Sequence, residues 1–407
     1  MRAEELKTQC LHAVHQSDIG IYLDSHQDTQ DIYALYECIA GVGAQDTCEI
    51  YDQWTPAFEF AQKHANKWIF FAFSYEAYHQ PLFLPYRPYT KPTAVLWTPQ
   101  YWLTLSKQGK VESNNLSYFS QSLDTHVPTQ LKIDLQPLWT KEEYLTRFNA
   151  VIEHIKQGDV YELNLCQAFK AVVFNLDTLT LYKILQEQGT MPYSAYWRYP
   201  PYTVISTSPE RLLALRGSIL IAQPMKGTQR KKHSQDTQSR DILRHSLKDR
   251  AENVMIVDLM RNDIAKSCLT GSIEVENLFQ VLDYGNLYQM ISTVKGRIRS
   301  GVHFLEAFYH VFPPGSMTGA PKKRSVEIIQ QLECIPRGWF SGSIGYISPK
   351  QEADSNVLIR TLCYNQDLNE LLLHTGGAVV YRSQAEQEYE ETLLKAERIR
   401  TKLNQTI

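Results

Sequence analysis

The sequence predicts an α+β fold in which two packed β-sheets, mixed or antiparallel, are flanked by helices. Two observations favour this fold. Helical patterns are repeatedly followed by two or three short strand patterns, without the strict strand–helix alternation that a parallel sheet requires. The 407 residues, 43% of them hydrophobic and 21% charged, are also sufficient to bury a large core.

Short apolar and aromatic runs predict the strands. They cover 68–73, 94–97, 102–105, 160–169, 193–199, 202–206, 218–222, 274–281, 289–298, 341–348, 357–364 and 371–375. The stretch 75–92 is dense in aromatic residues and proline, and it is predicted to be a loop.

Apolar residues at helical spacing predict the helices. They cover 141–157, 178–188, 239–260, 303–311, 322–333 and 385–403. The first of these has the clearest ends, because Thr140 is a good N-cap with Glu143 at the third helical position. Gly158 suits the position that follows its last turn.

Charge and cysteine content indicate a soluble, cytoplasmic protein. A formal net charge of −3 gives no basic surface for nucleic acid or membrane, so a small molecule or another protein is the expected partner. Seven dispersed cysteines without a Cys-x-x-Cys pair argue against a disulfide framework and a zinc site. The first residues lack the apolar core of a signal peptide.

Lys226 is the first candidate for chemistry. It lies in the run 223–228, which we predict to be an apolar turn between a strand and a charged segment. A lysine in a partly desolvated pocket loses its proton easily and becomes a nucleophile. A lone lysine before Gly-Thr is, however, more often a solvated turn residue.

Two further clusters carry carboxylates. Glu210 follows a strand end at Ser206 and looks buried, although Ser-Pro-Glu-Arg taken alone more often begins a helix. Glu252 begins an apolar helical stretch near whose end Asp258 and Arg261 are three residues apart. That pair could be a helical ion pair or could contact a substrate.

The last two clusters suit anions and cations respectively. The stretch 312–322 is rich in Gly, Pro, Ser and Thr and precedes a helix whose N–H groups could bind an anion, though a plain connection would look similar. Glu388, Glu391 and Lys395 share one face of the last helix. Such acidic runs are usually solvated, but two glutamates one turn apart, joined by Glu252, also fit a magnesium ion.

Together and in this order, the four clusters resemble the chorismate-utilising enzymes, over about 141–402. This family includes anthranilate synthase component I, aminodeoxychorismate synthase component I, and the isochorismate and salicylate synthases. The resemblance implies a pair of packed sheets flanked by helices. It also implies a chorismate-binding catalytic domain at 141–403, with an interleaved N-terminal part at 1–135.

The run from Pro224 to Thr228 resembles the aminodeoxychorismate synthase branch. In that branch the lysine attacks C2 of the chorismate ring while the C4 hydroxyl leaves. Ammonia then adds at C4 and expels the lysine, which gives 4-amino-4-deoxychorismate for 4-aminobenzoate and folate synthesis. Lys226 would be the nucleophile, and Thr228 belongs to the same catalytic motif. The alternative is anthranilate synthase component I.

The resemblance also implies the remaining roles. Glu210 would be the general acid and base near the C4 oxygen. Glu252 and Glu391 would hold Mg²⁺ directly and Glu388 through water. Substrate would be bound by Thr318, Gly319, Tyr346, Arg360, Gly376, Gly377, Ala378 and Lys395.

Three residues depart from the family pattern. Gln289 stands where the family usually has histidine, and it can donate a hydrogen bond but cannot carry a proton, so the acid role falls to Glu210. Glu162 stands where this branch often has glutamine and isochorismate synthases have lysine; its role is open. Ala378 replaces a glycine, which leaves backbone donation intact.

Ammonia has to be supplied from elsewhere. None of the cysteines lies in a Gly-x-Cys-x-Gly nucleophile turn, so we expect a separate glutamine amidotransferase subunit in a heterodimer, or free ammonium. Related enzymes bind tryptophan in the N-terminal part, but the run 22–25 is a doubtful counterpart of their motif, and we predict no tryptophan regulation. A non-catalytic scaffold would be expected to lose the glutamates, which are all present.

Overall fold

A computed structural model describes residues 3–26, 28–84, 91–120, 131–186, 191–233, 236–333 and 335–403. The strands are β1 Gly20–Asp24, β2 Tyr36–Val42, β3 Asp46–Ile50, β4 Ile69–Phe73, β5 Ala94–Thr98, β6 Tyr101–Ser106, β7 Val111–Ser113, β8 Gln136–Pro137, β9 Glu162–Val172, β10 Tyr193–Tyr199, β11 Tyr202–Ser208, β12 Arg211–Arg216, β13 Ile219–Ala222, β14 Met225–Arg230, β15 Glu274–Asp283, β16 Leu287–Arg297, β17 Gly319–Ala320, β18 Ser343–Ile347, β19 Ala353–Asn356, β20 Thr361–Asn365 and β21 Glu370–Val380.

The helices are α1 Ala3–His15, α2 Thr55–Lys63, α3 His79–Leu82, α4 Leu116–Ser120, α5 Lys141–Lys156, α6 Thr178–Gln186, α7 Thr237–His245, α8 Leu247–Ala265, α9 Phe304–Val311, α10 Lys322–Leu332 and α11 Ala385–Leu403. Within the described ranges, no helix is long and apolar enough to cross a membrane.

The strands form two antiparallel sheets, so the predicted α+β fold is confirmed. The first sheet has the order β17-β9-β21-β20-β11-β10-β1-β2-β6-β7, with β8 also paired to β9. The second has the order β14-β16-β13-β12-β19-β18-β4-β5-β3, with β15 also paired to β16. Strands from the first 113 residues extend both sheets, through β1 beside β10 and β4 beside β18.

Apolar side chains from both sheets meet in a shared core. Ile39 and Trp197 from the first sheet pack with Phe70 and Trp97 from the second, and the rings of Trp97 and Trp197 stack at 6.2 Å. Helices cover the outer faces: α8 and α9 contribute to the cluster on the second sheet, and α1, α6 and α11 to the cluster on the first. This layering brings the inner faces of the sheets together.

Local sequence signals placed some elements accurately. The Thr140 side chain accepts from the Glu143 amide at 3.2 Å, and the Glu143 carboxylate accepts from the Thr140 amide at 2.8 Å. The predicted capping box is therefore confirmed. The last helix has the predicted bounds, Ala385–Leu403.

Some predictions about the elements were wrong, and some elements were not predicted. The helix predicted at 239–260 is two helices, because Ser246 is extended (φ −62°, ψ 113°) and its side chain caps α8 by accepting from the Asp249 amide. The loop predicted at 75–92 contains a 3₁₀ turn and α3, while its 85–90 portion lies outside the described residues. The strand β19 was not predicted, because its four residues Ala-Asp-Ser-Asn carry no apolar run.

Asp258 and Arg261 form the helical ion pair that was one of the two alternatives. Their side chains are 76% and 51% exposed, and the carboxylate accepts from the guanidinium at 3.0 Å. Such exposed pairs contribute little to stability because water screens both charges.

Arg211 forms a very different ion cluster. Its guanidinium is completely buried and donates two hydrogen bonds to Asp354 at 2.9 and 2.8 Å. Two more bonds reach Asp31 at 3.0 and 2.8 Å, in the connection between β1 and β2. Burial tends to raise the pKa of Asp31, but the Arg211 charge and the hydrogen bonds from Arg211 and Tyr193 together lower it. The cluster therefore fastens that connection to the second sheet.

Replacing Arg211 should leave the buried Asp31 carboxylate without its ion-pair partner and should remove one of the two arginines that bind Asp354. We expect Arg211→Met to reduce the free energy of unfolding by about 3–5 kcal/mol, measured by urea denaturation. The matched control, Arg261→Met, removes an exposed arginine from an ion pair and should leave the unfolding midpoint nearly unchanged. Equal losses of unfolding free energy in the two variants would contradict a stabilising role for the buried Arg211 ion cluster.

Candidate active site

Lys226 lies in a strand, not in the predicted turn. Met225 pairs with Ile291 and Thr228 with Gln289, so β14 has one residue more than β16 between these pairs. This is a β-bulge, and Gly227 adopts φ +90° within it. A Cβ on Gly227 would lie 2.8–3.0 Å from the Asp249 side chain, so glycine is needed both for the backbone and for the space.

The Lys226 ammonium donates to Glu162 Oε1 at 2.8 Å. The two side chains are only 11% and 1% exposed. Glu162 begins β9 in the first sheet and Lys226 belongs to β14 in the second, so this ion pair joins the two sheets. Sequence reasoning left the role of Glu162 open, and its departure from the family pattern was the signal that could have identified the pair.

The expectation that Lys226 loses its proton easily was wrong for the resting protein. Burial does lower the pKa of the amine, but the carboxylates of Glu162, Glu252 and Glu210 together raise it above its ordinary value. Lys226 is therefore an ammonium group at neutral pH. It can act as a nucleophile only after it loses a proton.

Glu210 lies in the short connection between β11 and β12, so the alternative of a helix start was wrong. Its carboxyl group is buried. Burial raises its pKa to about 7, although the Ser316 hydroxyl, the Lys226 charge and the Met225 backbone all oppose this rise. A substantial share of Glu210 is thus protonated at neutral pH, as a proton donor requires.

Glu252 faces the same region from α8. Its Oε1 is buried and has no hydrogen-bond partner among the described residues. Burial raises its pKa to about 7; the Lys226 charge lowers it, and the Glu162 charge adds to the rise. Lys248 lies one helical turn away at 4.0 Å. Glu252 is therefore a buried carboxylate that would gain from a cation.

Glu388, Glu391 and Lys395 lie together beneath Gly377. A Cβ at Gly377 would be 3.1 Å from Glu388 Oε2, 3.8 Å from Glu391 Oε1 and 4.0 Å from Lys395 Nζ. Lys395 also donates to the Gly376 carbonyl at 2.7 Å and contacts Glu391 at 2.8 Å. The predicted helix face is thus directed at the strand that carries the glycines.

Three glutamates are the candidate ligands for a divalent cation. In the described ranges, no three acidic, histidine or cysteine side chains are close enough to form a ready-made metal cluster. Glu388 and Glu391 are neighbours, however, and on α8 the buried Oε1 of Glu252 has no hydrogen-bond partner among the described residues. Burial raises the pKa of Glu388, which a bound cation would reverse. These oxygen donors fit Mg²⁺, which keeps several waters and needs few protein ligands.

The loop before α10 approaches Glu162. Thr318 donates its buried hydroxyl to the Pro314 and Gly315 carbonyls at 3.2 and 3.1 Å, which shapes the loop. Gly319 has φ +144°, and a Cβ there would be 2.1 Å from the Glu162 carbonyl. Glycine at this position therefore lets the loop pair with β9 beside the ion pair.

Arg360 lies near Met225, and Gln289 lies opposite Thr228 on the neighbouring strand. Arg360 Nη1 is 3.3 Å from the sulfur of Met191, which packs with Met225. Gln289 is fully buried, and neither atom of its amide has a partner in the described structure. Thr228, opposite Gln289 in the sheet, has an exposed side chain. A ligand could therefore satisfy the Gln289 amide.

Tyr346 is not brought to this group. Its ring contacts those of Tyr36 and Trp68, with centroids 5.8 and 5.7 Å apart. It lines a separate cavity between the sheets with Leu23 and Arg211. Alternation along β18 directs this side chain into the aromatic core, which its sequence motif alone did not reveal.

Gly376 and Gly377 provide a matched pair of substitutions. A Cβ on Gly376 would lie 2.3 Å from the Leu165 carbonyl, against rigid backbone, whereas at Gly377 it would meet the ends of flexible side chains. We expect Gly376→Ala to lower the free energy of unfolding by about 1–3 kcal/mol in urea denaturation, and Gly377→Ala to lower it far less. A larger loss of unfolding free energy in Gly377→Ala than in Gly376→Ala would contradict the pairing of β21 with β9.

The sequence matches a family model described as chorismate binding enzyme over residues 20–401. It is 40% identical over 262 residues to a probable chloroplastic aminodeoxychorismate synthase from Oryza sativa subsp. japonica, covering 63% of this chain and 29% of that protein. It is 37% identical over 282 residues to aminodeoxychorismate synthase component 1 of Salmonella typhimurium, covering 69% and 62% respectively. It is 35% identical over 302 residues to aminodeoxychorismate synthase component 1 of Escherichia coli (strain K12), covering 74% of this chain and 66% of that protein.

These matches cover between about a third and two thirds of the length of the relatives. Among solved structures, anthranilate synthase component I from Streptococcus pneumoniae TIGR4 has a TM-score of 0.78 at 22% identity, covering 91% of this chain and 93% of its own. MenF, the menaquinone-specific isochorismate synthase from Escherichia coli, has a TM-score of 0.79 at 18% identity, covering 97% and 91%. These structures establish the fold. The family model covers nearly the whole chain, which therefore belongs to the chorismate binding enzyme family.

Proposed function

We propose that this chain converts chorismate and ammonia to 4-amino-4-deoxychorismate, for 4-aminobenzoate and folate synthesis, through a covalent intermediate on Lys226. The observation that carries the proposal is a buried lysine amine among the carboxylates of Glu162, Glu210 and Glu252. A solvated turn lysine would have no such surroundings. The relatives at 35–40% identity that are named aminodeoxychorismate synthases support the same reaction.

Lys226 determines where the amino group is placed. In the proposed reaction its Nζ bonds to C2 of the ring, the double bonds shift, and the C4–oxygen bond breaks. Ammonia then bonds to C4 and expels the lysine from C2. Direct attack of ammonia on C2 would instead lead to anthranilate, so the lysine's occupation of C2 distinguishes the two products.

Glu210 would donate the proton that the departing C4 oxygen needs. Its pKa of about 7 leaves it partly protonated at neutral pH. Gln289 can donate a hydrogen bond to the same oxygen through its unpartnered amide, but an amide cannot supply a proton. Proton donation therefore rests on Glu210.

Cationic and backbone groups would bind the two carboxylates of chorismate. Arg360 and Lys395 supply positive charge, and hydrogen bonds between ionised groups are strong. Strand β20 pairs with β21 only over 370–373, so the backbone of 376–378 has an edge that β20 does not occupy. We assign the N–H groups of Gly376 and Ala378 to the enolpyruvyl carboxylate.

Magnesium would complete the site. We propose that Glu252 and Glu391 bind Mg²⁺ directly and Glu388 through water. The bound cation would bind the ring carboxylate and polarise the site. Among the described residues, the buried Oε1 of Glu252 has no hydrogen-bond partner, which supports a ligand role.

A glutamine amidotransferase subunit is the proposed source of ammonia, in a heterodimer with this chain. A cytoplasmic location also stays a prediction, supported by six free cysteines in the described ranges.

The proposal is tested by incubating the chain with chorismate, Mg²⁺ and an ammonium salt and identifying products by mass spectrometry. We expect the wild type to form 4-amino-4-deoxychorismate. We expect Lys226→Ala to form it more slowly, by roughly 100-fold or more. Lys226→Arg is the matched control for charge. It keeps a cation beside Glu162 but cannot be deprotonated, so it should be as inactive as the alanine variant. Anthranilate from the wild type would refute the proposal.

The pH profile tests Glu210. Because its pKa is raised to about 7, the protonated form is present below that pH and is lost above it. We expect kcat/KM for chorismate to fall as pH rises through about 7, and Glu210→Gln to lower kcat/KM by about 10²–10⁴-fold at pH 6.5. Retention of activity by Glu210→Gln, with an unchanged pH profile, would exclude this carboxyl group as the proton donor.

A further inference from the structure

We propose that Glu162 accepts the proton that Lys226 must lose before it attacks substrate, and returns that proton when the lysine is released. This inference rests on the proposed function, since it assigns the base for its nucleophile. It also gives a role to the residue whose presence the family resemblance left unexplained.

The geometry of the pair suits direct proton transfer. Lys226 Nζ and Glu162 Oε1 are 2.8 Å apart, so no bridging water is needed. Glu162 Oε2 is buried and has no hydrogen-bond partner among the described residues, so no other donor competes for the carboxylate. Backbone on both sides fixes Glu162, since it pairs with Ala320 of β17 and with Val380 of β21.

Other charged and titratable groups around Lys226 do not share this contact. They are Glu252 on α8, Glu210 between β11 and β12, Glu391 on α11 and Cys166 on β9. Each influences the Lys226 pKa, or is influenced by its charge, at longer range. In the described structure, the hydrogen bond of the Lys226 ammonium goes to Glu162.

The transfer is balanced in atoms and charge. One N–H bond of the ammonium breaks and one O–H bond forms on Glu162, so an ion pair becomes a neutral amine and a neutral carboxylic acid. Burial favours the neutral pair because it disfavours separated charges. The amine then bonds to C2, and Glu210 protonates the departing oxygen. When ammonia expels the lysine as an amine, Glu162 gives back the proton.

The variant Glu162→Gln removes the proton acceptor but keeps the hydrogen bond to Lys226. The amide oxygen can still accept from Lys226, so the side chain stays in place, but it cannot take a proton. Lys226 would then have to lose its proton to water, and that loss becomes more favourable as pH rises. In the wild type the proton only moves from Lys226 to Glu162 and is not released to water. The rate of attack by Lys226 therefore does not rise with pH for this reason.

The experiment measures kcat/KM for chorismate between pH 6 and 8, with saturating ammonium and Mg²⁺ and with product identified by mass spectrometry. We expect the ratio of wild type to Glu162→Gln to fall about tenfold per pH unit until the variant's lysine is deprotonated. The dependence on Glu210, which both proteins share, cancels in this ratio.

Two further variants keep the test decisive. Glu162→Asp retains a carboxylate and should keep the wild-type pH profile at a reduced rate. Glu37→Gln makes the same change in another buried lysine–glutamate pair, in which Lys7 lies 3.4 Å from Glu37, and should not alter the profile. Thermal unfolding of each variant reports whether it is folded.

A constant ratio for Glu162→Gln across this range would overturn the inference, as would a Glu162→Asp profile that rises with pH. Failure of the proposed function would look different. In that case the wild type would not make 4-amino-4-deoxychorismate, or Lys226→Ala would retain the wild-type rate.

Discussion

The ion pair between Lys226 and Glu162 joins the two sheets at the candidate site, and Glu210 and Glu252 face the same lysine. Strand β9 carries Glu162 between the loop that ends in Gly319 and the strand that carries Gly376 and Gly377. The bulge in β14 directs Lys226 from the opposite sheet. A change in either strand's register would separate the lysine from its carboxylate.

Buried negative charge is the electrostatic consequence of this arrangement. Glu162, Glu210 and Glu252 surround one lysine. Burial raises the pKa values of Glu210 and Glu252 to about 7. The three carboxylates raise the pKa of Lys226. The site thus holds more acidic groups than one lysine can neutralise. A divalent cation would balance the excess and offset the negative charge of a dianionic substrate. Metal and substrate binding are therefore expected to depend on each other.

Much of the fold could be predicted from the sequence, because helix and strand periodicity, the Thr140 capping box and the face of α11 are local properties. The order of residues also placed Lys226, Glu210 and Glu252 together through the family resemblance, and the structure brings them to one region. What failed depended on distant parts of the chain. The protonation of Lys226 is set by carboxylates on other elements, and the position of Tyr346 is set by packing between the sheets.

The most direct test of the central claim is to look for chorismate bound covalently to Lys226. The chain would be incubated with chorismate and Mg²⁺ without ammonium, digested with trypsin and mapped by mass spectrometry. Modification of Lys226 blocks cleavage after it, so we predict a 217–230 peptide heavier by chorismate less one water. An unmodified 217–226 peptide, from protein that makes 4-amino-4-deoxychorismate once ammonium is added, would contradict the covalent route.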